Sequence, residues 1–289
     1  MDKILVTGVA GFIGSNLANY LVQNENNFVY GIDDFSHSTM SNLYPLLKNE
    51  RFEFVEHNLK NEIPYQVDYV YHFAGNGDYS SYYDDKYTFI LDKIEITKNI
   101  ITSCQKCGSK LIYPTCYQDR QEKNKNLFEY YDCINLIENL IVELINSNKL
   151  NCNIVRLDSV YGENLLKNDN RFISTTLKKI FTNESFILNT DESNYFTYVK
   201  DVVINLEKIM TSYISNPIID LINQNLYLKS DIIKLMIKYC NSDSKIELKS
   251  EIQEHPTFKP TQDARFNCNT SVVDGIINTI KNFKLIYYS

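Results

Sequence analysis

Short apolar segments alternate with helical patterns through the first half of the chain. Segments rich in β-branched and aromatic side chains predict six strands. These are Ile4–Thr7, Phe28–Asp33, Phe52–Val55, Tyr69–Phe73, Lys110–Tyr113 and Asn153–Arg156. Apolar residues three and four positions apart predict helices at Phe12–Gln23, Thr88–Cys104 and Leu127–Asn148. This alternation favours an α/β fold in which right-handed crossovers join the strands of a doubly wound parallel sheet.

The pattern changes after Arg156. A polar stretch at residues 163–170 precedes predicted helices at Phe172–Phe181 and Lys229–Tyr239, which we assign to a smaller lobe. Another helical pattern opens at residues 198–203, so the chain is expected to cross between the lobes again. We therefore predict one domain at residues 1–157 and a C-terminal lobe within 158–289, with about 196–222 returning to the first domain.

Composition and charge exclude several classes of protein. Hydrophobic residues make up 44% of the chain, but no apolar run reaches the roughly 18 to 20 residues that span a bilayer. A net charge of −7 disfavours binding to nucleic acid, which requires clustered Lys and Arg. The N-terminus lacks the apolar stretch and cleavage site of a signal peptide, so we expect a cytoplasmic protein.

The seven cysteines are scattered along the sequence. Cys104 and Cys107 are close together but have no second pair at the spacing of a zinc site. We therefore predict no metal site. Free thiols are typical of a reducing cytoplasm.

Three glycines, Gly8, Gly11 and Gly14, lie between the first predicted strand and the first predicted helix. Glycines in this context permit a tight turn and a close approach of the backbone to pyrophosphate, while the helix N-terminus attracts the negative charge. Asp33 ends the second predicted strand, where its carboxylate can accept hydrogen bonds from both ribose hydroxyls and would repel a 2′-phosphate. The sequence therefore predicts a Rossmann-type domain that binds NAD rather than NADP.

Several segments resemble the extended short-chain dehydrogenase/reductase family. Residues 7–17 (TGVAGFIGSNL) are similar to its opening motif, and residues 32–119, including 67–74 (VDYVYHFA), are similar to its UDP-xylose-forming decarboxylases. The resemblance implies an NAD-dependent enzyme acting on a nucleotide sugar, with UDP the expected nucleotide. It also implies a homodimer in which the helices predicted at 88–104 and 127–148 form a four-helix bundle. The cofactor-binding residues that it implies are Gly8, Gly11, Phe12, Ile13, Gly14, Asp33, Asp34, Asn58, Leu59, Phe73, Ala74 and Gly75.

The family's catalytic Tyr-x-x-x-Lys pair is incomplete in this chain. A free tyrosine has a pKa near ~10, and a nearby ammonium is needed to make it a base at neutral pH. The resemblance places the tyrosine at Tyr130 and puts Ile134 where the lysine is expected, whereas a shift to Tyr131 puts Asn135 there. No Lys or Arg occurs between Lys125 and Lys149.

Two further catalytic positions depart from the family pattern. Cys116 falls where the family has a Ser or Thr hydroxyl, and Thr115 lies one residue away. Either side chain could polarise a sugar oxygen, although Cys116 could equally be a buried thiol. Gln118 replaces a glutamate of the decarboxylases and cannot exchange a proton.

The positions that the resemblance assigns to the substrate are also altered. Ser159 replaces an asparagine, and Asn194 replaces an arginine expected to hold the substrate diphosphate. Lys259 and Arg265 are candidates for that phosphate contact, or they are ordinary surface cations. His72, at the end of the fourth predicted strand, is interpreted as a packed histidine.

These observations leave two main hypotheses. In the first, the chain oxidises a sugar carbon of a nucleotide sugar with NAD, Tyr130 acts as the base, and epimerisation, elimination or decarboxylation follows. In the second, it binds NAD without catalysis and serves as a regulatory or structural subunit, since a fold does not fix a function. A reductase of another small carbonyl is a third alternative, which Asp33 disfavours.

Overall fold

A computed structural model describes residues 1–75, 80–116, 128–166, 169–249, 253–254, 259–261 and 263–288. The chain divides into two compact units. Unit 1 comprises residues 1–118, 122–156 and 203–219, and unit 2 comprises 119–121, 157–202 and 220–289. Within the described residues, no helix is long and apolar enough to cross a bilayer.

The strands and helices are numbered in chain order. The strands are β1 Asp2–Thr7, β2 Asn27–Asp33, β3 Phe52–Glu56, β4 Tyr69–His72, β5 Lys110–Cys116, β6 Cys152–Leu157, β7 Val160–Tyr161, β8 Phe186–Leu188, β9 Asp191–Tyr195, β10 Thr197–Tyr198, β11 Ile218–Asp220, β12 Leu226–Leu228, β13 Ile246–Leu248 and β14 Gln253–Glu254. The α-helices are α1 Phe12–Leu21, α2 Ser80–Asp84, α3 Lys86–Cys107, α4 Phe128–Asn146, α5 Phe172–Phe181, α6 Val199–Thr211, α7 Lys229–Cys240 and α8 Val272–Tyr287. Two short 3-10 helices cover Met40–Leu43 and Leu46–Lys48.

A seven-stranded sheet runs through unit 1 in the order β11-β6-β5-β4-β1-β2-β3. From β3 to β5 the neighbouring strands pair in parallel. The strand order reverses between β1 and β4, and ligands of such sheets bind at the carboxyl ends of the strands beside this switch point. The predicted doubly wound α/β sheet is therefore confirmed.

The core of unit 1 lies between the sheet and two of its helices. Leu5, Val70, Leu111 and Ile154 are buried in one cluster with apolar residues of α3 and α4. α3 begins and ends outside its predicted bounds, because the Asp85 side chain accepts a hydrogen bond from the Thr88 backbone N–H and Gly108 ends the helix with φ 71°. These elements support the carboxyl ends of β4 and β5.

The segment at residues 203–219 belongs to unit 1 and is anchored there by a half-buried lysine. The Nζ of Lys110 on β5 donates to the carbonyl oxygens of Ile209, Met210 and Ser212 at 2.8, 2.7 and 3.0 Å. A cation at the end of a helix satisfies carbonyl groups that have no partner within the helix and complements the helix dipole. The lysine thereby fixes the end of α6 on the sheet.

Unit 2 contains three small sheets, β10-β7, β12-β9-β14 and β13-β8, together with α5, α7 and α8. The helices predicted at Phe172–Phe181 and Lys229–Tyr239 are present as α5 and α7. Tyr161 is a fully buried residue of this unit, and a Cβ on Gly275 of α8 would lie 2.2 Å from its hydroxyl oxygen. Close packing of α8 on β7 therefore requires a glycine at position 275.

Candidate functional site

The turn between β1 and α1 packs so tightly that it excludes side chains. Gly8 has φ 68°, and a Cβ there would lie 2.6 Å from backbone atoms of Phe73 and Ala74. A Cβ on Gly14 would lie 2.2 Å from the carbonyl oxygen of Gly8. The turn is thus a backbone-lined cradle at the switch point of the sheet, of the kind that pyrophosphate occupies.

Helix α1 begins directly at this turn. Its N-cap is Gly11, which has no side chain to cap the helix, and the next two residues are Phe12 and Ile13. A helix N-terminus offers N–H groups and a partial positive charge, both of which favour a phosphate. The geometry therefore fits the pyrophosphate of a dinucleotide.

The carboxylate of Asp33 is fixed beside the turn. Its Oδ2 accepts a hydrogen bond from the Ala10 N–H at 2.9 Å, and its Oδ1 accepts from Phe35 N–H at 3.0 Å and Ser38 Oγ at 2.7 Å. Asp33 is 8% exposed. A carboxylate held at the end of β2 fits the position from which a ribose hydroxyl is bound.

The other predicted cofactor residues lie after the ends of β2, β3 and β4. Asp34 accepts hydrogen bonds from the backbone and side chain of Ser36. Asn58 accepts from the N–H of Lys60, and Leu59 is buried. Phe73 and Ala74 donate to Thr7, and Gly75 is exposed with φ 114°. The carboxyl ends of the parallel strands thus bring these residues to the same edge of the sheet as the glycine turn.

His72 is buried at the end of β4. Its Nδ1 forms a 2.8 Å hydrogen bond with the Thr7 hydroxyl, and its ring lies 5.4 Å from that of Tyr113. Burial, aided by the charge of Lys93, lowers the pKa of His72 to about 3. The ring is therefore neutral at physiological pH, and its contacts agree with the prediction of a packed histidine.

Tyr130 lies in an aromatic cluster at the start of α4. It is 7% exposed and packs with Tyr82 and Ile134, and the rings of Tyr82 and Tyr130 meet edge to face at 5.5 Å. Cys116, at the end of β5, and Tyr131 pack against the same cluster. The structure thus brings the predicted base Tyr130 together with Cys116.

Thr115 contacts a different group. Its Oγ1 donates to Oε1 of Glu138 at 2.6 Å, and the Glu138 carboxylate also accepts from Arg156 Nε at 3.1 Å and Nη2 at 2.5 Å. Glu138 is 5% exposed. Thr115 is thus engaged by this ion pair, whereas Cys116 packs against the aromatic cluster.

Neither alternative lysine position holds a cation. Ile134 is 3% exposed and forms part of the aromatic cluster, whereas Asn135 is half-buried. An isoleucine replaces the flexible stem of a lysine with apolar volume, so the packing around Tyr130 is kept while the charge is lost. Gln118 lies outside the described residues.

The remaining substrate candidates belong to unit 2. Ser159 has φ 33° and donates to Asp158 Oδ1 at 3.1 Å. Asn194 lies on β9, and among the described residues its buried Oδ1 has no hydrogen-bond partner. Lys259 is exposed. Arg265 donates to Asp263 and lies over the ring of Phe266, so its charge is already partly neutralised.

Several supporting residues were not predicted from the sequence. Asn42 donates to the carbonyl oxygen of Ala10 at 3.2 Å, and Ser38 holds Asp33. Tyr82 is fully buried beside Tyr130. The sequence shows a polar run at residues 36–39 and several tyrosines at 79–83. Neither pattern has a spacing that indicates a contact with Asp33 or with Tyr130.

The close cysteine pair is divided between the interior and the surface. Cys104 is buried and Cys107 is exposed. Burial, with a smaller effect of Cys107, raises the pKa of the Cys104 thiol to about 12. In the described part of the chain, no three His, Cys, Asp or Glu side chains come together as metal ligands.

Comparison with known proteins decides the family. The model of the NAD dependent epimerase/dehydratase family matches residues 4–219. The chain belongs to this family. UDP-glucuronic acid decarboxylase 1 of Xenopus tropicalis is 23% identical, in an alignment that covers 88% of this chain and 64% of that protein. UDP-glucuronic acid decarboxylase 6 of Arabidopsis thaliana is 25% identical over 75% of this chain and 68% of that protein. The chain thus spans less than two thirds of the Xenopus relative.

Solved structures of epimerases share the fold. UDP-glucuronic acid 4-epimerase from Bacillus cereus, in complex with UDP-glucuronic acid and NAD, has a TM-score of 0.84 and 21% identity, with 99% of this chain and 100% of that chain covered. Epimerase Mth375 from Methanothermobacter thermautotrophicus has a TM-score of 0.86 and 18% identity, with 99% and 93% covered. These similarities extend over both units of the chain.

Proposed function

We propose that the chain binds NAD at the turn after β1 and uses it to oxidise a sugar carbon of a nucleotide sugar. Epimerisation, elimination or decarboxylation would follow. The observation that carries the proposal is the cradle formed by Gly8 and Gly14, with Asp33 held beside it. A UDP-sugar is the first choice of substrate, because the relatives are named as UDP-glucuronic acid decarboxylases.

The proton chemistry is assigned to Tyr130. Its phenolate would take the proton of the sugar hydroxyl at the carbon that is oxidised, and Cys116 is the neighbouring side chain from β5. When bound, NAD accepts the hydride from that carbon. The aromatic side chains around Tyr130 bury it, and burial disfavours the phenolate unless a cation is near.

The two units are given different roles. Unit 1 carries the cradle and Tyr130, and we assign it to NAD and to catalysis. Unit 2 carries Ser159, Asn194, Lys259 and Arg265, and we assign it to the nucleotide sugar. The unsatisfied Oδ1 of Asn194 is an acceptor for a substrate N–H or O–H group, and burying such a group without a partner costs about 1 to 3 kcal/mol.

A homodimer through α3 and α4 is part of the proposal. On α3 the exposed side chains of Tyr87, Leu91 and Ile94 follow one another at helical spacing, and on α4 Leu136 and Leu140 do the same. Apolar side chains exposed in a stripe are typical of an interface.

Sedimentation at micromolar concentration should give a dimer in the parent and a monomer in Leu91→Glu. A monomeric parent would remove this part of the proposal.

The test of function identifies the cofactor and then the reaction. The purified chain is denatured and the released nucleotides are identified by mass spectrometry. It is then incubated with NAD and a panel of UDP-, GDP- and dTDP-sugars, while absorbance near 340 nm and the sugar products are followed. We expect turnover of a UDP-sugar and at least a hundredfold loss in Tyr130→Phe, with Tyr131→Phe as the control.

The outcomes separate the two main hypotheses. NAD binding without turnover of any sugar would support a protein that binds the cofactor without catalysis. Turnover that Tyr130→Phe leaves unchanged would overturn the assignment of the base. Absence of NAD binding, in a protein that is folded by circular dichroism, would overturn the whole proposal.

A further inference from the structure

Lys93 lies on the face of α3 that packs against the aromatic cluster around Tyr130, which we call the Tyr130 pocket. Phe89, Lys93 and Thr97 follow one another at intervals of four residues, which places them on one side of the helix. The ring of Phe89 lies 5.8 Å from that of Tyr130, and Thr97 Oγ1 lies 2.8 Å from the Tyr113 hydroxyl on β5. Along α3, Lys93 therefore lies between the residue that contacts Tyr130 and the residue that contacts Tyr113 on β5. Its side chain is half-buried.

The charge of Lys93 acts on two elements that border this pocket. Burial lowers the pKa of His72 on β4, and Lys93 lowers it further. Burial raises the pKa of the Cys133 thiol on α4, whereas Lys93 opposes the increase. Cys133 follows Tyr130 by one helical turn, so the ammonium is close to the part of α4 that carries Tyr130.

We propose that Lys93, reaching from α3, supplies the positive charge that α4 lacks at Ile134 and so holds Tyr130 in its reactive form. The inference rests on the proposed function, because it concerns the base of that reaction. An ammonium within about 4 to 6 Å of a phenol favours the phenolate by about 1 to 3 pKa units. Lys93 is a positioning residue, since it acts through Tyr130 rather than on the sugar.

Among the described residues, the other titratable groups around this pocket do not cancel the charge. They are His72 from β4, Tyr113 and Cys116 from β5, Arg156 from β6, Tyr82 from α2, and Glu129, Tyr131, Cys133 and Glu138 from α4. Glu138 is paired with Arg156. His72 and Cys133 are both neutral at pH 7, because burial lowers the pKa of the first and raises that of the second. The Glu129 carboxylate is exposed, and Tyr82 and Lys86 already contact it.

The experiment titrates Tyr130 directly. The chain is labelled with ¹³Cζ-tyrosine and saturated with NAD for NMR, and the Tyr130 signal is identified as the one missing from Tyr130→Phe. We compare the parent with Lys93→Met and Lys93→Arg. The control is Lys98→Met, because Lys98 lies on the exposed side of the same helix. We expect Lys93→Met to raise the pKa of Tyr130 by about 1 or more and to lower turnover at pH 7 at least tenfold. Lys93→Arg and Lys98→Met should remain close to the parent.

Each outcome decides a different point. An unchanged Tyr130 titration in a folded Lys93→Met would overturn the inference, even if the enzyme turns over a sugar. A raised pKa in Lys93→Met, with no turnover by any variant, would support the role of Lys93 while the proposed function fails. If Lys93→Met does not fold, Lys93→Gln is used for the same comparison, because it keeps a polar side chain without the charge.

Discussion

The turn after β1 and the pocket around Tyr130 lie in the same unit, but they are built from different parts of the chain. The turn is defined by backbone contacts, since a Cβ on Gly8 or Gly14 would overlap neighbouring main-chain atoms. The pocket is defined by side chains, and there an isoleucine at 134 retains the packing without the charge of a lysine. A site built from backbone tolerates few substitutions, whereas a site built from side chains can lose its chemistry and still fold.

A buried ion pair lies next to the pocket and, like the glycine turn, is intact. Glu138 accepts hydrogen bonds from Thr115 and Arg156 in the interior of unit 1. Its geometry holds the end of β5 against α4 and β6. The structural framework of the pocket is therefore present even though the group expected at position 134 is not, which is why a cation from another helix is worth testing.

The largest expected effect is on this framework. Glu138→Ala removes the carboxylate that pairs with the largely buried Arg156 guanidinium, so we expect the free energy of unfolding to fall by about 3 to 5 kcal/mol. Urea unfolding would measure it. The control is Glu62→Ala, which breaks an exposed pair with Lys106 and should leave the free energy of unfolding close to that of the parent. Equal losses in the two variants would contradict a special role for the buried pair.

The next effect concerns the turn. Gly14→Ala places a Cβ 2.2 Å from the Gly8 carbonyl oxygen, and backbone atoms cannot move away cheaply. We expect a loss of about 1 to 3 kcal/mol of unfolding free energy and weaker NAD binding by calorimetry. In the control, Gly108→Ala, a Cβ meets open space, although φ is 71°. It should cost about 1 kcal/mol and leave NAD binding unchanged. Normal NAD binding by Gly14→Ala would show that the turn is not the cradle.

The fold was largely predictable, because periodicity and the glycine turn are local signals. β1 to β6 and the helices between them have sequence patterns of their own. The end of β5 was not predicted, since Pro114 argues against a continuing strand; it is tolerated because it lies beyond residues 110–112, which pair with β4. Glu138 with Thr115, and Lys93 with Tyr130, are side-chain relationships between different elements. No spacing within one element specifies them.

The remaining effect develops only as pH falls, and it tests the residue that connects the two regions. His72 bonds Thr7, which precedes the glycine turn, and packs on Tyr113 of β5. The unfolded residue has a pKa near ~6.5, whereas burial lowers it to about 3 in the folded chain. As pH falls below about 6.5, the unfolded state therefore binds the proton first and stability declines, by up to about 1.4 kcal/mol per pH unit until pH reaches the folded pKa.

This contribution is isolated by comparing variants across pH. Urea unfolding of the parent, His72→Gln and the exposed control His37→Gln is measured between pH 4.5 and about 7.5, a range that covers the ordinary titration of histidine. We expect His72→Gln to be less stable at neutral pH, because it loses the packed ring, but to have a flatter acid limb. His37→Gln should follow the parent curve. Parallel curves for the parent and His72→Gln would mean that His72 takes up its proton in the folded state. The layer joining the turn to β5 would then be open to water.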